Sequence, residues 1–380
     1  MGLHVLVLAG GSGTRLWPLS RRSVPKHLLP LGPGGSTLLR ATVERVSDLG
    51  ESVHVVTAAD QAERCREELR GLHLGSDSVI TEPEARGTGP ALGLATAWVA
   101  RTDPDAVIAS VHADSRVGDA AAYRSAVVAS AGWARATGGM ATVGLRPTHP
   151  ATGLGYIQLG EVLPGERWRS PAAAVPPAVA SGAAALPAFS AAGFVEKPDA
   201  ARAAEYLAEG RHLWNLGLFA WPAQAFLEQL RAAAEPLADA VSAVVDARAA
   251  GDEARATAIY AAQRAAAVEP LVVERLTQLV VVEASFAWSD LGSWSDLHAA
   301  RVGDGEADAS GNVVAGDVLL LAATGTLVES RGGRLVAVAG TDGLVIVDTP
   351  DALLVVPAAE AQRVKDLVQR LSAEGREDLL

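Results

Sequence analysis

Three features of the 380-residue sequence predict an α/β fold: a mainly parallel sheet with helices on both faces, followed by a small β-rich domain. An apolar run, His4-Val5-Leu6-Val7-Leu8, opens directly into a glycine-rich loop, so the glycines sit where a parallel strand leaves its sheet. Short β-branched runs then alternate with helical stretches, the pattern of a parallel sheet covered on both sides. Beyond residue 300 the texture changes to brief apolar runs separated by Gly, Asp, Asn and Pro, which is the signature of short strands joined by turns.

The elements follow in order. Gly34-Gly35-Ser36 supplies a turn and an N-cap, and Leu38, Leu39, Thr42, Val43 and Val46 recur at helical spacing. Val53–Thr57 reads as a strand, Gln61–Leu69 as a charged helix and Ser78–Thr81 as a strand. Small residues over Pro90–Ala100 make a close-packing helix, and Ala106–Val111 is the fourth strand. A helix over Ala120–Ala136 leads to a strand at Ala141–Leu145. After Gly193 come Phe194–Pro198, a helix over Ala200–Ala208 and the apolar run Trp214–Trp221. Ala223–Glu269 is Ala-rich and helical, with breaks at Pro236 and near Gly251. The architecture expected for residues 1–300 is therefore Rossmann-like. Residues 301–380 form the second domain, with runs at Val318–Ala322, Leu335–Val338, Leu344–Val347 and Leu353–Val356 consistent with a β-helix or solenoid, closed by a helix over Ala359–Leu371.

Composition excludes several classes. Hydrophobic content of 49% and charge of 20% describe a globular chain, and a net charge of −12 argues against a nucleic-acid surface. The single cysteine, Cys65, forms no intrachain disulfide, and no Cys/His cluster has zinc spacing. The N-terminus has no basic segment ahead of a long apolar core, so a cytoplasmic protein without a membrane anchor is expected. The uncharged stretch Ser170–Val195 is long enough to span a bilayer, but Pro171, Pro176, Pro177 and Pro187 break a helix there. Residues 170–192 read as an Ala/Pro-rich surface insertion without chemistry.

The chemistry concentrates in Leu8–Leu31, LAGGSGTRLWPLSRRSVPKHLLPL. Gly10, Gly11 and Gly13 leave backbone N–H groups uncovered, and successive N–H groups turned inward bind anions. Thr14 adds a hydroxyl, Arg15 a planar fork of donors for phosphate oxygens, and Lys26 a movable point charge. The loop lacks the GK[ST] of a P-loop and the third glycine of the dinucleotide fingerprint.

This stretch resembles the signature of the sugar-1-phosphate nucleotidyltransferases, GxGxRLxPLTxxxPK, with Ser20 where many members have Thr; Trp17 and Ser20-Arg21 resemble the mannose-1-phosphate guanylyltransferase branch. Further segments extend the likeness over almost the whole chain. Thr152–Ile157 is similar to TGYGYI, with Leu154 in place of Tyr; Phe194–Pro198 to the FVEKP sugar-phosphate segment; Trp214–Phe219 to WNSGMF; and Val345–Val356 to the guanylyltransferase tail.

The resemblance implies transfer of a nucleotidyl group from GTP to mannose 1-phosphate by direct displacement, with Mg²⁺ as cofactor. By the same resemblance Leu8, Gly10, Gly11, Gly13, Thr14, Arg15, Gly87 and Thr88 bind the nucleotide. Asp114, at the end of the fourth strand, and Asp290, in FAWSDLGSW, hold the metal. Lys26, Gly155, Glu196, Lys197 and Asn215 take the sugar phosphate, and Arg15, Lys26, Asp114, Lys197 and Asp290 form the catalytic set. Gly217 permits close approach at the same place. The isomerase domain of longer bacterial members is not seen, so a single activity is expected. The resemblance also allows a homodimer through the β-rich tail.

Three departures keep alternatives open. EPxxRNTAPA becomes Glu82–Ala91 with Gly87 in place of Asn, and PADH becomes His112-Ala113-Asp114-Ser115, with His112 in place of Pro and Ser115 in place of His. The same chemistry on another base or sugar, or a silent sugar-nucleotide-binding regulatory subunit, are the competing readings.

Overall fold

The computed structural model describes all residues except Met1, Ser12 and Ser76. In chain order the strands are β1 (Leu3–Leu8), β2 (Ser52–Ala58), β3 (Val79–Glu82), β4 (Val107–His112), β5 (Arg116–Val117), β6 (Met140–Leu145), β7 (Gly155–Val162), β8 (Ala188–Val195), β9 (His212–Pro222), β10 (Leu279–Ala284), β11 (Trp288–Ser289), β12 (Val313–Ala315), β13 (Val318–Leu321), β14 (Leu327–Ser330), β15 (Val336–Ala339), β16 (Leu344–Asp348) and β17 (Leu353–Pro357). The chain divides into two compact units that interleave along the sequence. One takes residues 1–9, 42–113 and 119–286; the other takes 10–41, 114–118 and 287–380.

The first unit holds a nine-stranded sheet of order β3-β2-β1-β4-β9-β6-β10-β8-β7. β8 and β9 supply its antiparallel pairings, β9 with β4, β6 and β7, and β8 with β10 and β7. The remaining pairings are parallel, as the strand-helix alternation requires. One face is covered by the helices Thr88–Ala100 and Ala223–Ala249, which bury Leu92, Leu230 and Val241 against Leu6, Ile108 and Trp221. The helix Ala223–Ala249 kinks at Ala234, two residues before Pro236, where the ring forbids regular backbone. The helix Ala120–Thr137 packs across β4, β6, β9 and β10 and buries its own apolar stripe of Val127, Val128 and Trp133.

The expected surface insertion is more integrated than its composition indicates. Residues 177–184 form a helix with Pro177 at its first position, where a missing N–H costs nothing, and Ala188–Val195 is strand β8 of the main sheet. Strands β7 and β10 were also not anticipated, although Leu279–Ala284 is a nearly continuous run of valines. Among the described residues no helix is long and apolar enough to cross a membrane.

In the second unit, β12, β14 and β16 stack in parallel, and β13 and β15 form a second parallel pair. Val318 lies opposite Val336 and Leu327 opposite Val345, an offset of 18 residues in each sheet, while Val313 lies opposite Leu327 across a shorter first coil, as in a solenoid with an irregular entry. Ala323, Val328, Val338 and Ile346 fill its interior. Asn312 stitches one corner: its amide donates to Ala323 O at 2.8 Å and its carbonyl accepts from Thr326 N at 3.1 Å. The antiparallel strand β17 closes the stack. A second core joins this solenoid to the glycine loop: Leu16, Trp17, Leu29 and Leu31 pack with Leu291, Trp294, Leu297, Leu327 and Val345. Trp294 Nε1 donates to Trp17 O at 2.9 Å, and Trp17 Nε1 donates to Leu379 O at 2.8 Å. The loop that opens the chain is thus built into the unit that closes it.

Candidate active site

Within the second unit, Gly13 adopts the left-handed conformation (φ 60°, ψ 36°) just before the single turn Thr14–Leu16. A Cβ there would lie 2.4 Å from Lys26 Cβ, so this glycine both turns the loop and admits Lys26. Ser20 Oγ donates to Gly13 O at 2.7 Å and holds the turn. Gly10 and Gly11 have open space where a Cβ would stand, and Gly11 takes φ 89°. Thr14 and Arg15 are exposed, and Arg15 Nη1 donates to Gln362 Oε1 at 3.1 Å.

Lys26 is only 7% exposed. Its Nζ pairs with Asp114 Oδ2 at 2.7 Å and donates to the Asp290 backbone carbonyl. Three sequence-distant candidates therefore meet. The short ladder between β5 and β11 explains how: Arg116 is opposite Ser289, so Asp114 and Asp290 leave the same end of one two-stranded ribbon. Leu291, fully buried, turns the chain after Asp290 with φ 45°, a conformation disfavoured for any residue with a Cβ and concentrated at functional sites. Asp290 Oδ1 accepts from Gly292 N–H at 3.2 Å. Burial raises the Asp290 carboxyl above its ordinary pKa, with the charges of Asp296 and Asp114 adding to that and Lys26 opposing it. Beside Lys26, buried His27 is pushed down to about 4, first by burial and then by the Lys26 charge, with Asp114 opposing.

In the first unit a second cluster forms around the ends of β7, β8 and β9. Gly155 lies opposite Asn215 in the ladder, and a Cβ on Gly155 would meet Glu196 Oε2 at 2.6 Å, Phe194 Cζ at 3.2 Å and Asn215 Cβ at 3.3 Å. Gly155, Glu196 and Asn215 are thereby brought together. Between Asn215 and Phe219 the β9 register shifts against β6, a bulge in which Gly217 takes φ 69°. Asn215 Oδ1 accepts from Gly217 N–H at 3.2 Å, which leaves the carboxamide NH₂ without a protein acceptor among the described residues. A Cβ on Gly217 would stand 2.6 Å from His112 Nε2, so Gly217 receives the imidazole that replaces the usual proline. Lys197 also takes a left-handed backbone, φ 47°, and its Nζ donates to Glu196 Oε1 at 2.7 Å while the side chain stays 62% exposed. The sequence reading overlooked Glu269. Burial raises its pKa, as does the nearby charge of Glu196, against opposing effects of His112 and Lys197. The only signal for it was an isolated acid in the apolar run Ala265–Val273.

Gly87 and Thr88 open the helix Thr88–Ala100. Gly87 takes φ 83° and ψ 173°, a region essentially closed to other residues, and a Cβ would meet Ala266 O at 2.5 Å. Thr88 Oγ1 accepts from Val268 N–H at 2.9 Å, and Gly89 N–H donates to Ala266 O at 3.0 Å. The backbone of residues 266–268 therefore fills the place where an asparagine side chain would begin. Leu8 ends β1, and its carbonyl accepts from Ala113 N–H at 2.9 Å.

Residues 4–306 match the family described as Nucleotidyl transferase, and residues 308–371 match the MannoseP isomerase/GMP-like beta-helix domain. The chain is 34% identical over 376 residues to the Xanthan biosynthesis protein XanB of Xanthomonas campestris pv. campestris, covering 98% of this chain and 74% of that protein. It is 35% identical over 381 residues to a mannose-1-phosphate guanylyltransferase of Escherichia coli (strain K12), covering 99% of this chain and 75% of the relative. Among solved structures, a Thermus thermophilus protein described as a mannose-1-phosphate geranyltransferase is similar with a TM-score of 0.80 at 32% identity, covering 98% of this chain and 100% of that one.

Proposed function

The chain belongs to the nucleotidyl transferase family, in its mannose-1-phosphate guanylyltransferase branch, and we propose that it transfers the guanylyl group of GTP to mannose 1-phosphate with Mg²⁺. The observation that carries this reading is the buried Lys26 ammonium, paired with Asp114 and bonded to the Asp290 carbonyl. In the reaction a phosphate oxygen of the sugar forms a bond to the α-phosphorus, the bond from that phosphorus to the bridging oxygen of the β-phosphate breaks, and pyrophosphate leaves. Catalysis then rests on positioning and charge neutralisation.

Among the described residues no group of His, Cys, Asp and Glu by itself completes a metal site. Asp114 and Asp290 nevertheless fit a hard cation that draws its other oxygens from phosphate and water. Both are oxygen donors, and Asp290 lies within reach of the like charges of Asp114 and Asp296, which a cation would offset. Mg²⁺ held there would neutralise charge on the phosphates. Lys26 orients the reacting phosphates, the open backbone at Gly10 and Gly11 with Thr14 receives the nucleotide phosphates, and exposed Arg15 holds the departing pyrophosphate. On the sugar side, the NH₂ of Asn215 and the carboxylate of Glu196 bind hydroxyls, and Lys197 neutralises the sugar phosphate. Gly87 and Thr88 border the nucleotide site.

Gly87 favours one second reading, the same chemistry with another base, because its backbone and Ala266 leave no side chain at that position. A panel of four nucleoside triphosphates against several sugar 1-phosphates, followed by pyrophosphate release, tests both. GTP with mannose 1-phosphate is expected to be preferred. Preference for ATP, UTP or dTTP overturns the base assignment, and tight nucleotide binding without turnover overturns the enzyme reading in favour of a silent regulatory subunit.

A further inference from the structure

The function proposed above uses Lys26, Asp114 and Asp290, and one side chain outside that set ties together the segments that carry them. Arg116 is on β5, two residues after Asp114, and its backbone pairs with Ser289, the residue before Asp290. Its guanidinium is nearly buried, with the side chain 11% exposed. Nη1 donates to Leu31 O at 3.0 Å, at the end of the loop that carries Lys26. Nε donates to Asp304 Oδ2 at 2.7 Å and Nη2 to Glu306 Oε1 at 2.5 Å. Asp304 caps the C-terminus of the helix Trp294–Gly303, whose N-cap Ser293 follows Asp290 by three residues. The acceptors are themselves fixed. Arg301 Nε donates to Glu306 Oε2 at 2.6 Å, and Arg301 also bonds Glu329, a fully buried carboxylate that Arg331 holds at 2.9 Å from the other side.

We infer that Arg116 is a positioning residue that sets the separation of the Asp114 and Asp290 carboxylates and so their capacity to share a divalent cation. This rests on the function proposed above. The physical reason is the length of the ladder between β5 and β11: two residue pairs are too few to hold a register alone, and a one-residue slip would turn each side chain to the opposite face. The planar fork satisfies three acceptors on two segments at once, which a lysine point charge does not reproduce. Arg116 itself contacts no substrate in this role.

The test is Mn²⁺ binding to the nucleotide-free full-length protein, followed by the electron paramagnetic resonance signal of the free ion, alongside kcat and KM. Arg116→Ala is expected to weaken Mn²⁺ binding about tenfold and to lower kcat, with KM for the sugar phosphate within about twofold, and Arg116→Lys to restore it only in part. Parent-like Mn²⁺ binding in Arg116→Ala, while Asp114→Asn loses it, overturns the inference and leaves the proposed function standing. Undiminished binding in Asp114→Asn and Asp290→Asn overturns the metal assignment and this inference with it. Should Arg116→Ala not fold, Glu306→Gln decides. It keeps the size of the side chain and removes only its charge, and about a threefold loss of Mn²⁺ affinity supports the role, whereas no loss overturns it.

Discussion

The two charged clusters place similar residues in opposite physical settings. Lys26 is buried, has a carboxylate and a carbonyl on its ammonium, and belongs to a loop whose Trp17 and Leu29 pack with Leu291 and Trp294. Lys197 is mostly exposed, sits on a left-handed backbone, and pairs with the neighbouring Glu196. A buried ammonium is held in one geometry and costs much to disturb, whereas an exposed one is screened and adapts to what arrives. The first cluster is fixed by its ion pair and apolar cover; the second rests on glycines and a bulge that admit the side chains of Glu196 and His112.

The contrast predicts unequal effects. Lys26→Ala should lower kcat about 100-fold or more and also destabilise the fold, because Asp114 and Asp290 lose their cation. A loss smaller than about threefold in steady-state rate would remove Lys26 from the site. Next in size is a pH effect confined to the buried cluster. His27 has a folded pKa near 4 against an ordinary value of 6.5, so the unfolded chain binds its proton first. Stability should therefore fall as pH drops from about 6.5 to about 4, by roughly 3 kcal/mol from this residue, and level off below. Chemical denaturation of the parent and His27→Gln across that range checks it, since a pH dependence retained by the variant would assign the loss to other groups.

Two smaller effects belong to the second cluster. Gly155→Ala pushes the end of Glu196 away and crowds Phe194 and Asn215 Cβ, so KM for the sugar phosphate should rise about tenfold with a modest fall in unfolding temperature. An unchanged KM would detach Gly155 and Glu196 from the sugar. Lys197→Ala should alter stability by less than about 1 kcal/mol, as an exposed pair contributes little, while still reducing kcat/KM. Equal loss of stability in Lys26→Ala and Lys197→Ala would erase the distinction between the clusters.

Much of the sheet was legible from local pattern. β1, β2, β3, β4 and β6 carry β-branched runs bounded by turn residues, and the structure places them where those runs stand. Local pattern did not anticipate β7, whose residues mix Gly, Gln and Glu, or β8, whose small residues follow a proline-rich stretch that resembles a linker. Their strand state comes from pairing with each other, with β9 and with β10, which is a tertiary preference overriding composition. Arg116 and Glu269 were missed for a related reason: a single charged residue has no pattern until its partners are in place.

The sequence by itself determined the residue types and their local geometry: glycines where a backbone must turn or admit a neighbour, a lysine and two aspartates in recognisable motifs, and short strands at a regular interval in the tail. Only the tertiary structure decided which of these belong together. The loop 10–41, the short segment 114–118 and the tail from 287 onward make one unit because Leu16, Trp17, Leu29 and Leu31 find their apolar cover on Trp294, Leu327 and Val345, hundreds of residues away. Hydrophobic burial carries no direction along the chain, so that partnership leaves no trace in local spacing, and the meeting of Lys26 with Asp114 and Asp290 follows from it.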